Sequence, residues 1–159
     1  MQMRARWLAR LLFPRLAPRR EPDVYIGGRE NPYILRWYLI PRNRVFNVYL
    51  HHFRRSDDDR ALHDHPWASI SLCLEGHLYE WVRECDGSHL FRKIGCGQLT
   101  VRGASFAHRI EVDPDHLAWT LFVTGPKVRE WGFWCPQGWR HWRAFTGGPQ
   151  GESIGRGCD

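Results

Sequence analysis

Two of the chain's nine histidines, His63 and His65, flank a single aspartate in the triplet His63-Asp64-His65. Residues i and i+2 of a β-strand project to the same face, so both imidazoles can reach one metal ion. The triplet alone is weak, because nine histidines in 159 residues produce about 0.5 such triplets by chance. Its surroundings strengthen it. Pro66 biases His65 toward extended geometry, and the β-rich run 68–74 continues the strand into a turn at Gly76. A third histidine, His108, lies within the run 106–112, after a hairpin marked by Gly97 and Gly103. Neutral imidazoles suit iron, zinc or nickel, and the order of metal affinities does not by itself choose among them.

The elements that must position these side chains read as short strands. Runs rich in aromatic and β-branched residues fall at 33–40, 45–53, 68–74, 77–83, 89–94, 98–101, 106–112, 117–124 and 128–134. Turn signals separate them, among them Gly76, Asp86-Gly87, Asp113-Pro114-Asp115 and Gly125-Pro126. Nine short strands without a long helical period predict an all-β sandwich or barrel. The length suits one domain. Residues 21–145 are expected to form it. Residues 146–159, Gly-rich and poor in apolar side chains, read as a flexible tail.

Residues 1–20 carry six arginines and no acid, which equals the whole net charge of +6. The remaining chain is balanced, with no basic excess of the kind a nucleic-acid module carries, so no nucleic-acid partner is expected. The segment reads as a basic amphipathic arm in which Trp7, Leu8, Leu11 and Leu12 share a helical face. It is expected to pack on the domain or a partner subunit; weak contact with an anionic membrane surface and a targeting role are the alternatives. No stretch is long and apolar enough for a transmembrane span. Five cysteines, an odd set without a C-x-x-C pair, suggest a reducing compartment, and a cytoplasmic protein is expected.

The histidine pattern resembles the cupin superfamily, whose motifs are G-x5-H-x-H-x3,4-E-x6-G and G-x5-P-x-G-x2-H-x3-N. The first is matched as His63-x-His65-x3-Ser69-x6-Gly76, the second as Gly97-x5-Gly103-x-Ser105-x2-His108-x3-Val112. Ser69 stands where the family has its glutamate ligand, Asp57 and Gly103 where it has a glycine and a proline, and Val112 where it has asparagine. The resemblance implies a double-stranded β-helix, the jelly-roll barrel, with one divalent metal on His63, His65 and His108. A three-histidine set is similar to that of the thiol dioxygenase branch, which implies Fe(II), with Zn, Ni or Mn as the other candidates.

Without a carboxylate ligand such a centre keeps its dication charge and favours an anionic small-molecule substrate. If the strand is unbroken, Trp67, Ser69 and Cys73 share the face of His63 and His65 and form pocket walls. His51 with Tyr49 is expected to point inward as the catalytic pair, His51 as acid or base. Asp64 is out of phase with the ligands. Asp57-Asp58-Asp59 reads first as a solvated loop, with the alternative that one of them reaches the metal or orients a ligand imidazole, and Glu80 reads as a surface residue beside a turn. The tryptophan-rich run after residue 130 is expected to close the barrel and form a homodimer surface. The expected activity is iron-dependent oxygenation of a small anionic molecule. A metal-dependent isomerase or lyase of a carbonyl or sugar-like substrate, and a non-catalytic metal-binding sensor barrel, stay open beside it.

Overall fold

The computed structural model describes residues 2–57, 61–84, 86–147 and 155–159. Helix α1 (Gln2–Leu16) leads into β1 (Val24–Ile26), β2 (Ile34–Tyr38), β3 (Asn47–Phe53), β4 (Leu62–His63), β5 (Ser69–Glu75) and β6 (His77–Arg83). There follow β7 (His89–Gly95), β8 (Leu99–Arg102), β9 (His108–Val112), β10 (Trp119–Thr124), β11 (Gly132–Cys135), β12 (Gly138–His141) and the one-turn helix α2 (Trp142–Phe145). The strands form two six-stranded antiparallel sheets, ordered β1-β2-β3-β10-β5-β8 and β12-β11-β4-β9-β6-β7. The expected all-β architecture is present as two facing sheets. Among the described residues no ladder joins them into a closed barrel.

Period-2 alternation decides which side chains fill the space between the sheets. Ile34, Phe53, Cys73, Leu78, Ile94, Ile110, Val112 and Ala118 form an apolar core at one end. The outer face of the first sheet is covered by α1. Ala9, Leu12, Phe13 and Leu16 of the helix pack with Trp37, Leu50, Leu72, Leu74 and Leu121. The arm is therefore seated on its own domain, though not by the face expected from the sequence. Leu12 is partly buried as foreseen, whereas Trp7 is 67% exposed and Leu8 and Leu11 also face outward. The close seat depends on Gly97 in the β7–β8 turn, at φ +82°, where a Cβ would come within 2.5 Å of the Arg6 backbone nitrogen.

Other expectations change. The strand foreseen through His63 and into 68–74 breaks between β4 and β5, and the chain crosses from the second sheet to the first. Pro66 lacks the N–H that a continuous ladder needs, which accounts for the break. The tail is anchored at its end: Gly157 N–H donates to the Phe145 carbonyl, Arg140 to the Gly157 carbonyl, and Cys158 is disulfide-bonded to Cys135. That pairing overturns the expectation of an unpaired cysteine set; Cys73 and Cys96 are free thiols, and Cys85 lies outside the described residues. Among the described residues no helix is long and apolar enough to cross a membrane.

The seating of α1 predicts an asymmetry between its faces. Ala9→Arg forces a long charged side chain into a fully buried slot and should cost about 2 kcal/mol or more, read by urea denaturation. Trp7→Ala, on the exposed face, should stay within about 0.5 kcal/mol of the parent.

Candidate metal centre

Three imidazoles converge on the inner side of the second sheet. His63 ends β4 and pairs in register with His108, the first residue of β9. His65 follows the strand, its backbone N–H donating to the Ala104 carbonyl at 3.2 Å. The ring centroids form a near-equilateral triangle, 5.1 Å for His63–His65, 4.9 Å for His63–His108 and 5.1 Å for His65–His108. One nitrogen of each lies within 4.8 Å of the others.

The tautomers follow from the partners. Glu80 Oε1 lies 2.5 Å from His108 Nδ1, so that nitrogen carries the proton and Nε2 offers its lone pair. Nε2 of His108 faces Nε2 of His65 at 2.8 Å. Two lone pairs cannot face each other at that distance, so a proton or a cation must lie between them. The spacing is close to the roughly 3 Å edge that two imidazoles make on one six-coordinate transition metal. On His63, Nδ1 is 3.6 Å from Asp57 Oδ2, which also accepts the Ile110 N–H. Carboxylates behind ligand imidazoles are the usual means of holding ring and tautomer. The donor set, neutral imidazoles backed by carboxylates, fits a divalent transition metal.

Both supporting acids correct the sequence reading. Glu80 is fully buried on the inner face of β6 and joins four strands. It accepts from Arg92 on β7, from Arg102 on β8 and from His108 on β9. Burial opposes its ionised form, but the His108 hydrogen bond, the Arg102 charge and the Arg92 hydrogen bond prevail and hold it at about 2. The available signal was a lone acid amid Leu78, Tyr79, Trp81 and Val82. Asp57, read first as a solvated loop residue, stands instead behind His63, where the alternative reading put one of the three aspartates; Asp58 and Asp59 lie outside the described residues.

Asp64, as expected, turns away from the ligands, but it turns into the protein. Fully buried, it accepts from the Gly132 backbone and the Trp134 and Trp139 indoles and pairs with Arg129 at 2.7 Å. The tryptophan-rich run therefore closes on the residue between two ligands and holds β11 and β12 against β4.

The other predicted site residues divide. Trp67 stacks against His65 with ring centroids 6.5 Å apart. Ser69 points inward from β5, its hydroxyl shielded and unpartnered like those of Thr120 and Thr124 and the indole N–H of Trp67. Cys73 does not join the histidines. It sits in the apolar core, where burial raises its thiol to about 12. Tyr49 and His51 point inward from β3 as a stack with Phe122. His51 Nε2 accepts the Nε–H of Arg36 at 2.8 Å. Its lone pair is thus engaged, and burial and the Arg36 charge hold the ring neutral, well below the ordinary histidine value.

Arg36 was not foreseen. It lies on β2 opposite His51, with its guanidinium 4.7 Å above the Tyr49 ring. Among the described residues no carboxylate pairs with it, and burial lowers its proton affinity. The signal was one arginine inside the apolar run Ile34-Leu35-Arg36-Trp37-Tyr38. A separate cleft of about 240 Å³, lined by Arg6, Lys93, Cys96 and Gln98, carries none of the three histidines.

No protein-family model matches the chain, and no curated protein matches it. Among solved structures it is similar to oxalate decarboxylases. A Bacillus subtilis structure concerned with that enzyme's Mn(II) centres matches at 15% identity and TM-score 0.49, over 72% of this chain and 30% of that one. A Lactobacillus farciminis oxalate decarboxylase formate complex matches at 16% identity and TM-score 0.48, over 62% of this chain and 30% of that one. The chain spans less than a third of the length of these enzymes.

Two outcomes follow from this geometry. Glu80→Gln should weaken metal affinity about 10- to 100-fold, measured by competition with a chromogenic chelator. Acid should also loosen the fold in a defined window. His51 and His65 are held well below the ordinary histidine value and His108 at about 4, chiefly by burial. The unfolded chain protonates these rings near pH 6.5 and the folded chain does not. Stability is therefore fully present above about pH 6.5 and falls from there toward pH 4, by up to about 1.4 kcal/mol per pH unit for each buried ring. Glu80 adds a loss only below about pH 4.5, where its unfolded form protonates first. Urea titrations of metal-free protein between pH 7.5 and 4.5 should show the slope, and a flat profile would contradict it.

Proposed function

We propose that this chain is a small metal-binding cupin whose metal is held by His63, His65 and His108, and that it acts as an iron-dependent oxygenase on a small anionic molecule. The observation that carries the reading is the convergence of three imidazoles with, among the described residues, no carboxylate in the set. Ferrous iron at that position supplies the redox chemistry through which dioxygen reacts with a neighbouring substrate.

The chain's own residues bind and orient the substrate. A centre ligated only by neutral groups leaves its charge for an anion to offset. Arg36, which no carboxylate among the described residues pairs with, adds a second positive charge, and its planar fork suits a carboxylate. His51 acts here as a positioning residue that holds the Arg36 Nε–H, with Tyr49 beneath the guanidinium. The shielded hydroxyls of Ser69, Thr120 and Thr124 provide hydrogen-bonding groups for a polar ligand, because unpartnered buried hydroxyls are costly unless something satisfies them. Trp67 beside His65 serves as an apolar wall. The isomerase reading needs a free base, and the engaged lone pair of His51 disfavours it.

Protein purified anaerobically without chelator should carry near-stoichiometric iron that disappears in His63→Ala/His108→Ala. Oxygen uptake should then appear in a screen of small thiols and carboxylates. Arg36→Met should leave the iron in place and raise KM for the active substrate about 100-fold, the scale of leaving a buried charge unpaired. Zinc or nickel with oxygen-independent turnover would replace the oxygenase by Lewis-acid chemistry. Metal without any turnover would leave a binding barrel, and absence of metal from the histidines would overturn the reading.

A further inference from the structure

At the far end of β9 the chain assembles a second group of ligating side chains. His77 opens β6, directly after the Gly76 turn, while Asp113 and His116 belong to the loop joining β9 to β10. Their ligand atoms lie within 4.8 Å of one another. Asp113 stands five residues beyond His108, which places this group about 17 Å from the first along the strand.

We propose that His77, Asp113 and His116 form a second divalent-cation site, suited to zinc and independent of the function assigned to the first. Asp113 Oδ2 lies 3.4 Å from His77 Nε2 and 3.1 Å from His116 Nδ1. Two ligand atoms on one tetrahedral zinc stand about 3.3 Å apart, so both spacings match edges of such a polyhedron. Asp113 Oδ1 accepts the Asp115 N–H, and this bond aims Oδ2 at the two rings.

The burial of His77 adds a second observation. His77 is 9% exposed, and its Nε2 is shielded from solvent with no well-aligned hydrogen bond, the Asp113 carboxylate standing 3.4 Å away. A buried imidazole nitrogen in that state is costly unless something binds it. Its position is rigidly set. Gly76, at φ +69°, brings the β5–β6 turn so close to the start of β10 that a Cβ would fall 2.2 Å from the Leu117 carbonyl oxygen. The ring of His77 also packs edge-on against Tyr79.

Burial, the Lys93 charge and the neighbouring His116 disfavour a positive charge on His77, while the Asp113 carboxylate favours one. Two neutral imidazoles and a carboxylate form a set that zinc accepts with one position left for water. Bound there, the ion clips the β5–β6 turn to the β9–β10 loop above the apolar core of Cys73, Leu78, Val112 and Ala118.

Zinc alone is the probe, titrated into metal-free full-length protein by calorimetry with parallel thermal melts. The parent should bind two equivalents, and His116→Ala should bind one. This substitution leaves folding intact, because the His116 side chain is 63% exposed. Asp113→Asn keeps the acceptor for Asp115 and should show the same loss. His63→Ala/His108→Ala should retain one equivalent, and zinc should still raise its Tm, since a ligand of the folded state stabilises it. If zinc binding is the same in the parent, His116→Ala and Asp113→Asn, the second site does not exist. A parent that binds a single equivalent, lost in His116→Ala, would support this site while counting against the first.

Discussion

A carboxylate with no access to water must be surrounded by donors, and Glu80 meets that condition in a way that organises the protein. Its partners come from β7, β8 and β9, and β8 belongs to the opposite sheet. One buried charge thus ties the two sheets together and orients the His108 ring. Removing any partner leaves charge stranded in a medium where it is poorly screened. Stability and ligand geometry are therefore properties of the same few atoms.

Asp64 repeats the principle on the other side of the ligand set. Successive residues of an extended chain point to opposite faces, so the aspartate between His63 and His65 points away from them. It reaches the β11–β12 hairpin, where two indoles, a backbone amide and Arg129 satisfy it. The hairpin, tied to the C-terminal segment by the Cys135–Cys158 bridge, backs the strand that presents His63. Two of the three histidines come from a segment clamped from behind, and the third from a strand clamped by Glu80.

The two inner faces differ in character. The second sheet brings imidazoles with carboxylates behind them, while the first brings Arg36 and hydroxyls that, among the described residues, have no acid or hydrogen-bond partner. The contrast is chemical. One side has met its own electrostatic requirements, and the other retains positive charge and hydrogen-bonding capacity for a ligand. The proposal of an anionic substrate rests on that asymmetry.

The sequence by itself determined the strand-rich architecture, because period-2 patterning and turn residues are local signals. The run 77–83 matches β6, and most other predicted runs match a strand to within about two residues. It also singled out His63, His65 and His108, since i,i+2 spacing on extended chain forces two rings onto one face. Only the tertiary structure decided which charged residues are buried. Glu80 and Arg36 sit in runs where apolar residues occupy both faces, so alternation does not reveal which side is inner. Asp57 and His77 meet their neighbours from segments distant in the chain, and no local pattern encodes such a meeting. The break at Pro66 separated Cys73 from the histidines, because a strand that changes sheets no longer carries its parity forward.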